Sequence, residues 1–95
     1  MKTEEFLPID VEVIPDTLKS GLLYISEKFG ISCHLCPCGC GQAVYLPFPE
    51  KEINGKTRHW NMTYNLGKVT FRPSIGNTFE CRSHYYITNN KVEWV

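Results

Sequence analysis

Cys33-His34-Leu35-Cys36-Pro37-Cys38-Gly39-Cys40-Gly41 is the stretch on which the fold turns. Three thiols and an imidazole fall between His34 and Cys40, with a further thiol just before them and glycines at 39 and 41. Short spacings broken by Pro and Gly let consecutive side chains converge on one point, as a tetrahedral site for a soft or borderline cation requires. A thiol and an imidazole two residues apart stand far downstream in Cys81-Arg82-Ser83-His84. A site drawing on both segments ties distant parts of a short chain together, and its binding energy becomes folding energy. The expected ion is Zn2+, and the preferred ligands are Cys36, Cys38, Cys40 and Cys81.

Three neighbours leave alternatives open. Cys33 lies on an expected strand, where a free cysteine behaves as a small buried hydrophobe, yet its two-residue spacing to Cys36 also suits a ligand. His34 points to the opposite strand face and is a ligand, a partner of a ligand, or a satisfied surface histidine. His84 is either a further ligand or free for other chemistry, and His59 reads as solvent-exposed.

Outward from this stretch the chain reads as strands. Leu22–Ser26 and Ile31–Leu35 form a hairpin around Gly30, and Ala43–Phe48 is a third strand whose end Pro47 and Pro49 confine to a sheet edge. Upstream, Ile9, Val11 and Val13 alternate with Asp10 and Glu12, the period of a strand with one buried face. Pro15 and Asp16 end it, and Thr17 to Ser20 is a turn. Downstream, Glu50 to Arg58 is a polar loop. Residues 59 to 72 then read as a hairpin, with Trp60, Met62 and Tyr64 alternating before the turn at Asn65-Leu66-Gly67. His84–Thr88 and Lys91–Trp94 close the chain as a hairpin through Asn89-Asn90, a pair that tolerates positive φ. The expected fold is mostly β: one small domain over residues 1–95, with an N-terminal strand and turn in 1–20 and a zinc-stapled antiparallel core in 21–95.

Composition narrows the function. The 95 residues are 42% hydrophobic, enough for a modest core near the lower size limit of a domain. Ten Lys and Arg balance ten Asp and Glu, so no broad positive field exists to hold a phosphate backbone, and nucleic acid is not expected as a partner. No apolar run reaches the length of about 18 residues that a membrane span needs, and the start lacks a signal-peptide pattern. The expectation is a cytoplasmic protein with no membrane partner. Five cysteines, an odd number, then read as reduced thiols for metal or catalysis rather than disulfides.

Four blocks carry a resemblance that covers nearly the whole chain after residue 20: Gly21-Leu22-Leu23-Tyr24-Ile25-Ser26, His34-Leu35-Cys36-Pro37-Cys38-Gly39-Cys40-Gly41, Arg72-Pro73-Ser74-Ile75-Gly76-Asn77, and Cys81-Arg82-Ser83-His84-Tyr85-Tyr86-Ile87. Together they resemble a bacterial domain-of-unknown-function family encoded beside ubiquitin-like proteins and relatives of ubiquitin-activating and ubiquitin-conjugating enzymes. The resemblance implies a serine-type peptidase that processes or releases a bacterial ubiquitin-like protein, with that protein and its conjugation enzymes as partners.

Such chemistry needs a nucleophile, a base within hydrogen-bond reach and donors for the oxyanion. Ser74 is the best nucleophile, held between Pro73 and Gly76 in what reads as a turn after a strand. His84 is its natural base, and the N–H groups near Gly76 and Asn77 are candidate oxyanion donors. Ser83 is a weaker nucleophile candidate. Asp10, Asp16, Glu80 and Glu93 are available as an orienting carboxylate, none marked by spacing, and Asn77 is an alternative. Neither Gly-x-Ser-x-Gly nor His-Glu-x-x-His occurs. Arg72 and Arg82 are either contacts for an acidic partner or a C-terminal carboxylate, or ordinary solvated charges. The competing function is a non-catalytic zinc-ribbon-like adaptor in the pathway that the resemblance implies. An open-site catalytic zinc is a third, and it lacks an evident base.

Overall fold

A computed structural model describes residues 2–48, 61–76 and 81–95, and every regular element among them is a strand. Two four-stranded sheets result. The first holds β1 (Leu7–Asp10), β2 (Leu22–Ser26), β3 (Ile31–Leu35) and β4 (Ala43–Pro47) in chain order. The second holds β5 (Asn61–Asn65), β6 (Lys68–Gly76), β7 (His84–Thr88) and β8 (Lys91–Trp94), also in chain order. Phe6, Leu23, Ile25, Val44 and Leu46 pack with Val69, Phe71, Ile75, Tyr85 and Ile87 in one core, so each sheet buries the other's apolar face.

The expected hairpins form, and the turn chemistry is visible at their tips. Leu66 (φ 52°) with Gly67 (φ 76°), and Asn89 (φ 49°) with Asn90 (φ 71°), are two-residue connections with both residues left-handed, the geometry that matches strand twist. Asn90 is 8% exposed and holds the two tips together: its Oδ1 accepts the Val69 N–H at 2.7 Å and its Nδ2 donates to the Gly67 carbonyl at 3.1 Å. Ala43–Pro47 is an edge strand, where a proline's missing N–H costs no ladder bond. The edge-confining Pro49, the loop Glu50 to Arg58, and His59 and Trp60 lie outside the described residues.

Three expectations change. The first strand is Leu7–Asp10 rather than a strand through Val13, and it runs parallel to β2, in register from Leu7↔Leu22 to Asp10↔Ile25, in a sheet expected to be antiparallel throughout. Its partner ends at Ser26, so only the Val11 N–H to Ile25 bond (2.8 Å) continues the ladder and Val13 is left exposed. Upstream, residues 3–6 bridge the sheets: Phe6 N–H donates to Asn90, Val92 N–H to Glu4, and Thr3 N–H to Pro37. In the hairpin starting at residue 61, Tyr64 faces largely outward while Met62 packs against the core. Finally, Ser74 sits inside a nine-residue β6 rather than in a turn after it. Phe71 pairs with Ile87 and Ile75 with Tyr85, so three residues of β6 stand opposite Tyr86 alone. Pro73 has no N–H to give the ladder, and the strand bulges around it instead of ending.

Candidate active site and metal centre

The loop between β3 and β4 is built to fold back on itself. Cys36 N–H donates to Gln42 at 2.8 Å and Gly39 N–H to Cys36 at 3.1 Å, while Gly39 (φ 92°) and Gly41 (φ 84°) take left-handed conformations that would strain other residues. The sulfurs of Cys36, Cys38 and Cys40 are thereby gathered, and Cys81 closes on them from the start of the last hairpin. All four lie within 4.8 Å of one another, with separations of 3.4 Å for Cys36–Cys38, 3.8 Å for Cys36–Cys81 and 3.6 Å for Cys40–Cys81. Four thiolates about 2.3 Å from a central zinc sit about 3.8 Å apart along the tetrahedron's edges. Separations of 3.4–3.8 Å are close to that edge, so the residues fit a four-sulfur metal site.

Ionisation within the cluster is uneven. The Ser83 hydroxyl, ahead of the neighbouring thiols, brings Cys38 down to about 6. Cys40 is pulled down by the Gln42 backbone, but loss of water and the thiols of Cys38, Cys81 and Cys36 push it up to about 12. Four thiolates repel one another, and a cation among them is what lets all four ionise together.

Cys33 and His34 are not part of this group. Cys33 is fully buried, and burial raises its thiol pKa against a lowering hydrogen bond from Tyr45, the behaviour of a core cysteine. His34 is also fully buried, its Nε2 2.8 Å from the Tyr85 hydroxyl and its ring edge-on to Phe6 at 4.9 Å. Burial lowers its pKa to about 3, and its Nδ1 has no hydrogen-bond partner among the described residues. None of the three expected roles holds: His34 is neither in the sulfur cluster, nor bonded to one of its members, nor at the surface, but a core histidine that ties the sheets together.

The turn into β7 links the sulfur cluster to a second site. Arg82 adopts a left-handed conformation (φ 46°), which lets Cys81 and Ser83 face the same sulfurs. The Ser83 hydroxyl donates to Cys81 Sγ at 3.4 Å and accepts from Cys36 Sγ at 3.5 Å, so this 6% exposed serine is engaged with sulfur rather than with an imidazole. The next residue, His84, opens β7 on the outer face, and its Nε2 lies 2.7 Å from Ser74 Oγ on the bulge of β6. His84 is not among the clustered ligands.

The pair has a defined backbone frame. His84 is the cross-strand partner of Gly76, where a Cβ would lie 3.9 Å from the imidazole Cδ2. The His84 carbonyl accepts the Val95 N–H at 3.0 Å, so the backbone of His84 faces β8. Gly76 is then in a non-hydrogen-bonded pair and directs its own N–H away from β7. Asp10 lies on the other sheet, and among the described residues no carboxylate is hydrogen-bonded to His84. Neither Asp16, which precedes β2, nor Glu93, which pairs with Tyr86 across the last hairpin, is hydrogen-bonded to His84, and Glu80 and Asn77 lie outside the described residues. No described helix is long and apolar enough to cross a membrane.

Residues 10–95 match the family model of the bacterial ubiquitination-like system serine protease, BubE, and the chain belongs to that family. Comparisons with curated proteins and with solved structures return no match. The family's description gives the class, a serine protease of a bacterial ubiquitination-like system, and supplies no residue roles.

Proposed function

We propose that Ser74 is the nucleophile and His84 the general base of a peptidase that processes or releases a bacterial ubiquitin-like protein. The observation that carries this reading is the 2.7 Å contact between Ser74 Oγ and His84 Nε2 on an exposed strand face, in a chain of a serine-protease family. With its proton on Nδ1, the imidazole accepts the Ser74 proton through Nε2 as Oγ attacks the scissile carbonyl carbon. The protonated imidazole then delivers that proton to the leaving amine, and water, deprotonated by the same nitrogen, cleaves the acyl-serine ester. The Gly76 N–H, turned away from the ladder, is our candidate donor to the oxyanion, with Asn77 beside it in sequence.

In this reading a zinc ion held by Cys36, Cys38, Cys40 and Cys81 is a staple rather than a catalyst. Four protein sulfurs fill a tetrahedron and leave no position for a substrate or water. Its role is to fix the Cys81-to-His84 turn, and through it the imidazole, against the first sheet. The ubiquitin-like protein and its conjugation enzymes are the proposed partners.

The test incubates the protein with the ubiquitin-like precursor encoded beside it and follows precursor mass, alongside labelling by a fluorophosphonate. The parent shortens the precursor and is labelled on Ser74, and Ser74→Ala does neither. Undiminished cleavage by Ser74→Ala removes Ser74 from the mechanism, and binding without cleavage or labelling makes the chain an adaptor.

A further inference from the structure

On the same outer face, Arg72 stands on the β6 bulge two residues before Ser74, and Tyr86 stands on β7 two residues after His84. Because three bulge residues stand opposite Tyr86 alone on β7, Arg72 and Ser74 are drawn to one stretch of that strand. The guanidinium lies over the Tyr86 ring at 4.7 Å. Its Nη1 donates to the Phe71 carbonyl at 2.7 Å and to Ile87 at 3.5 Å, and its Nη2 donates to Thr88 Oγ1 at 2.8 Å.

This is an unusual way to leave an exposed arginine. A solvated side chain of this length keeps its rotamer freedom, and a surface ion pair would give it a carboxylate. Arg72 has neither: one aromatic face and three hydrogen bonds hold it, and no carboxylate among the described residues pairs with it, whereas the described ion pair joins Lys28 and Glu12. All the acceptors are neutral. Of the five N–H donors a guanidinium carries, these contacts occupy about three, which leaves donors in a fixed fork for an incoming group. A preorganised cation with no carboxylate partner among the described residues suits an incoming carboxylate, because planar paired N–H groups match carboxylate oxygens and ordering has already been incurred.

We propose that Arg72, seated on Tyr86, is a substrate-binding residue that recognises a carboxylate near the bond attacked by Ser74. This rests on the assignment of Ser74 and His84 above. The carboxylate is either an acidic side chain on the acyl side of the scissile bond or the free C-terminus of the departing segment, which share the same oxygen pair. Arg72 also bonds carbonyls at the break in the ladder, so a merely structural role, bracing the bulge, has to be separated from recognition.

The separation uses the full-length, metal-loaded protein and matched p-nitrophenyl and p-hydroxybenzoyl esters. One series carries Asp or Asn at successive positions before the reacting carbonyl, and the other carries a leaving group ending in a free acid or in its amide. The readout is the ratio of Ser74-dependent acylation rates, acid over amide. In the parent, one position or the leaving-group arm favours the acid by about tenfold at low salt, less at high salt. Arg72→Gln brings that ratio to one, and Arg72→Lys, which keeps the charge without the fork, keeps part of it. A bracing role would slow acid and amide equally and leave the ratio alone. No acid preference anywhere in the parent, or a preference that survives Arg72→Gln, overturns the proposal while the Ser74 assignment stands. Absence of any Ser74-dependent acylation overturns the assignment, and the subsite with it.

Discussion

Two imidazoles in this chain make nearly the same hydrogen bond in opposite surroundings. His34 Nε2 meets the Tyr85 hydroxyl at 2.8 Å, and His84 Nε2 meets the Ser74 hydroxyl at 2.7 Å. His34 lies fully buried at the seam between the sheets, where loss of water lowers its pKa to about 3. An imidazolium has no hydration there, so His34 cannot take a proton from its hydroxyl at neutral pH. His84 sits on the exposed face, where water can solvate its charged form and a substrate can approach. The lesson is that imidazole–hydroxyl geometry does not make a catalytic pair. Solvation of the ion pair and access for the reacting carbonyl do.

The largest expected effect comes from withdrawing the zinc proposed for the sulfur cluster. Structural tetrathiolate sites carry on the order of 10 kcal/mol of binding energy, more than a chain of this size has in reserve. Chelation should abolish near-ultraviolet circular dichroism and Ser74 labelling together, and added Zn2+ should restore both. If the apo protein kept its spectrum and its labelling, the cluster would have no part in holding His84.

Next in size are substitutions that set one imidazole against the other. His84→Gln should slow acylation between about 10²-fold and 10⁴-fold, the usual contribution of a general base, while stability moves by less than about 0.5 kcal/mol. His34→Ala should do the reverse: a cavity and a lost hydrogen bond cost about 2–4 kcal/mol, with the acylation rate per folded molecule unchanged. Paired denaturation curves and labelling rates decide it. Equal losses of rate in both variants would erase the distinction.

The gathering of the four sulfurs was more legible in the sequence than the Ser74–His84 contact, for a physical reason. Metal ligands must converge locally, so Cys36, Cys38 and Cys40 stand close together with glycines to bend the chain, and only Cys81 had to be sought at a distance. A short β-prone run with its hairpin partner likewise marked β2 and β3, alternation marked β5 and the start of β6, and Asn89-Asn90 marked the turn between β7 and β8. The Ser74–His84 contact depends instead on a register break. Nothing in Arg72-Pro73-Ser74-Ile75 says whether the chain turns or bulges, because Pro73 is compatible with either. The parallel pairing of β1 is also a tertiary outcome, since alternation carries no direction. His34, next to Cys33, and His84, three positions after Cys81, both kept a ligand role as an alternative in the sequence, and burial and the Ser74 contact separate them.

Acid sharpens the same contrast by a smaller amount. His34 has an ordinary pKa of 6.5 when unfolded and about 3 when folded, so between those values the unfolded chain binds a proton the native one refuses. Its contribution is complete above pH 6.5 and is lost as pH falls toward 3, by about 2 kcal/mol between pH 6.5 and 5. His34→Leu has no such proton to bind. The stability gap between parent and variant should therefore narrow by that amount over this range, in denaturation series with metal content monitored. A gap that stays constant would mean His34 titrates alike in both states.

The smallest effect isolates the buried bond itself. Tyr85→Phe alone strands the His34 Nε2 in the core at about 1–3 kcal/mol, and His34→Leu alone takes the imidazole away from the Tyr85 hydroxyl. Together they put apolar surfaces against each other and should cost less than the sum of the two. The coupling from the cycle should be about 1 kcal/mol, since whatever else either ring touches cancels. The corresponding cycle for Ser74→Ala and His84→Gln should show almost no coupling in stability, because water replaces the lost partner on an exposed face, and near-complete coupling in acylation rate, because neither residue reacts without the other. Coupling in stability of the same size at both sites would show that exposure does not separate the two pairs, and the contrast between a structural and a reactive imidazole would fail.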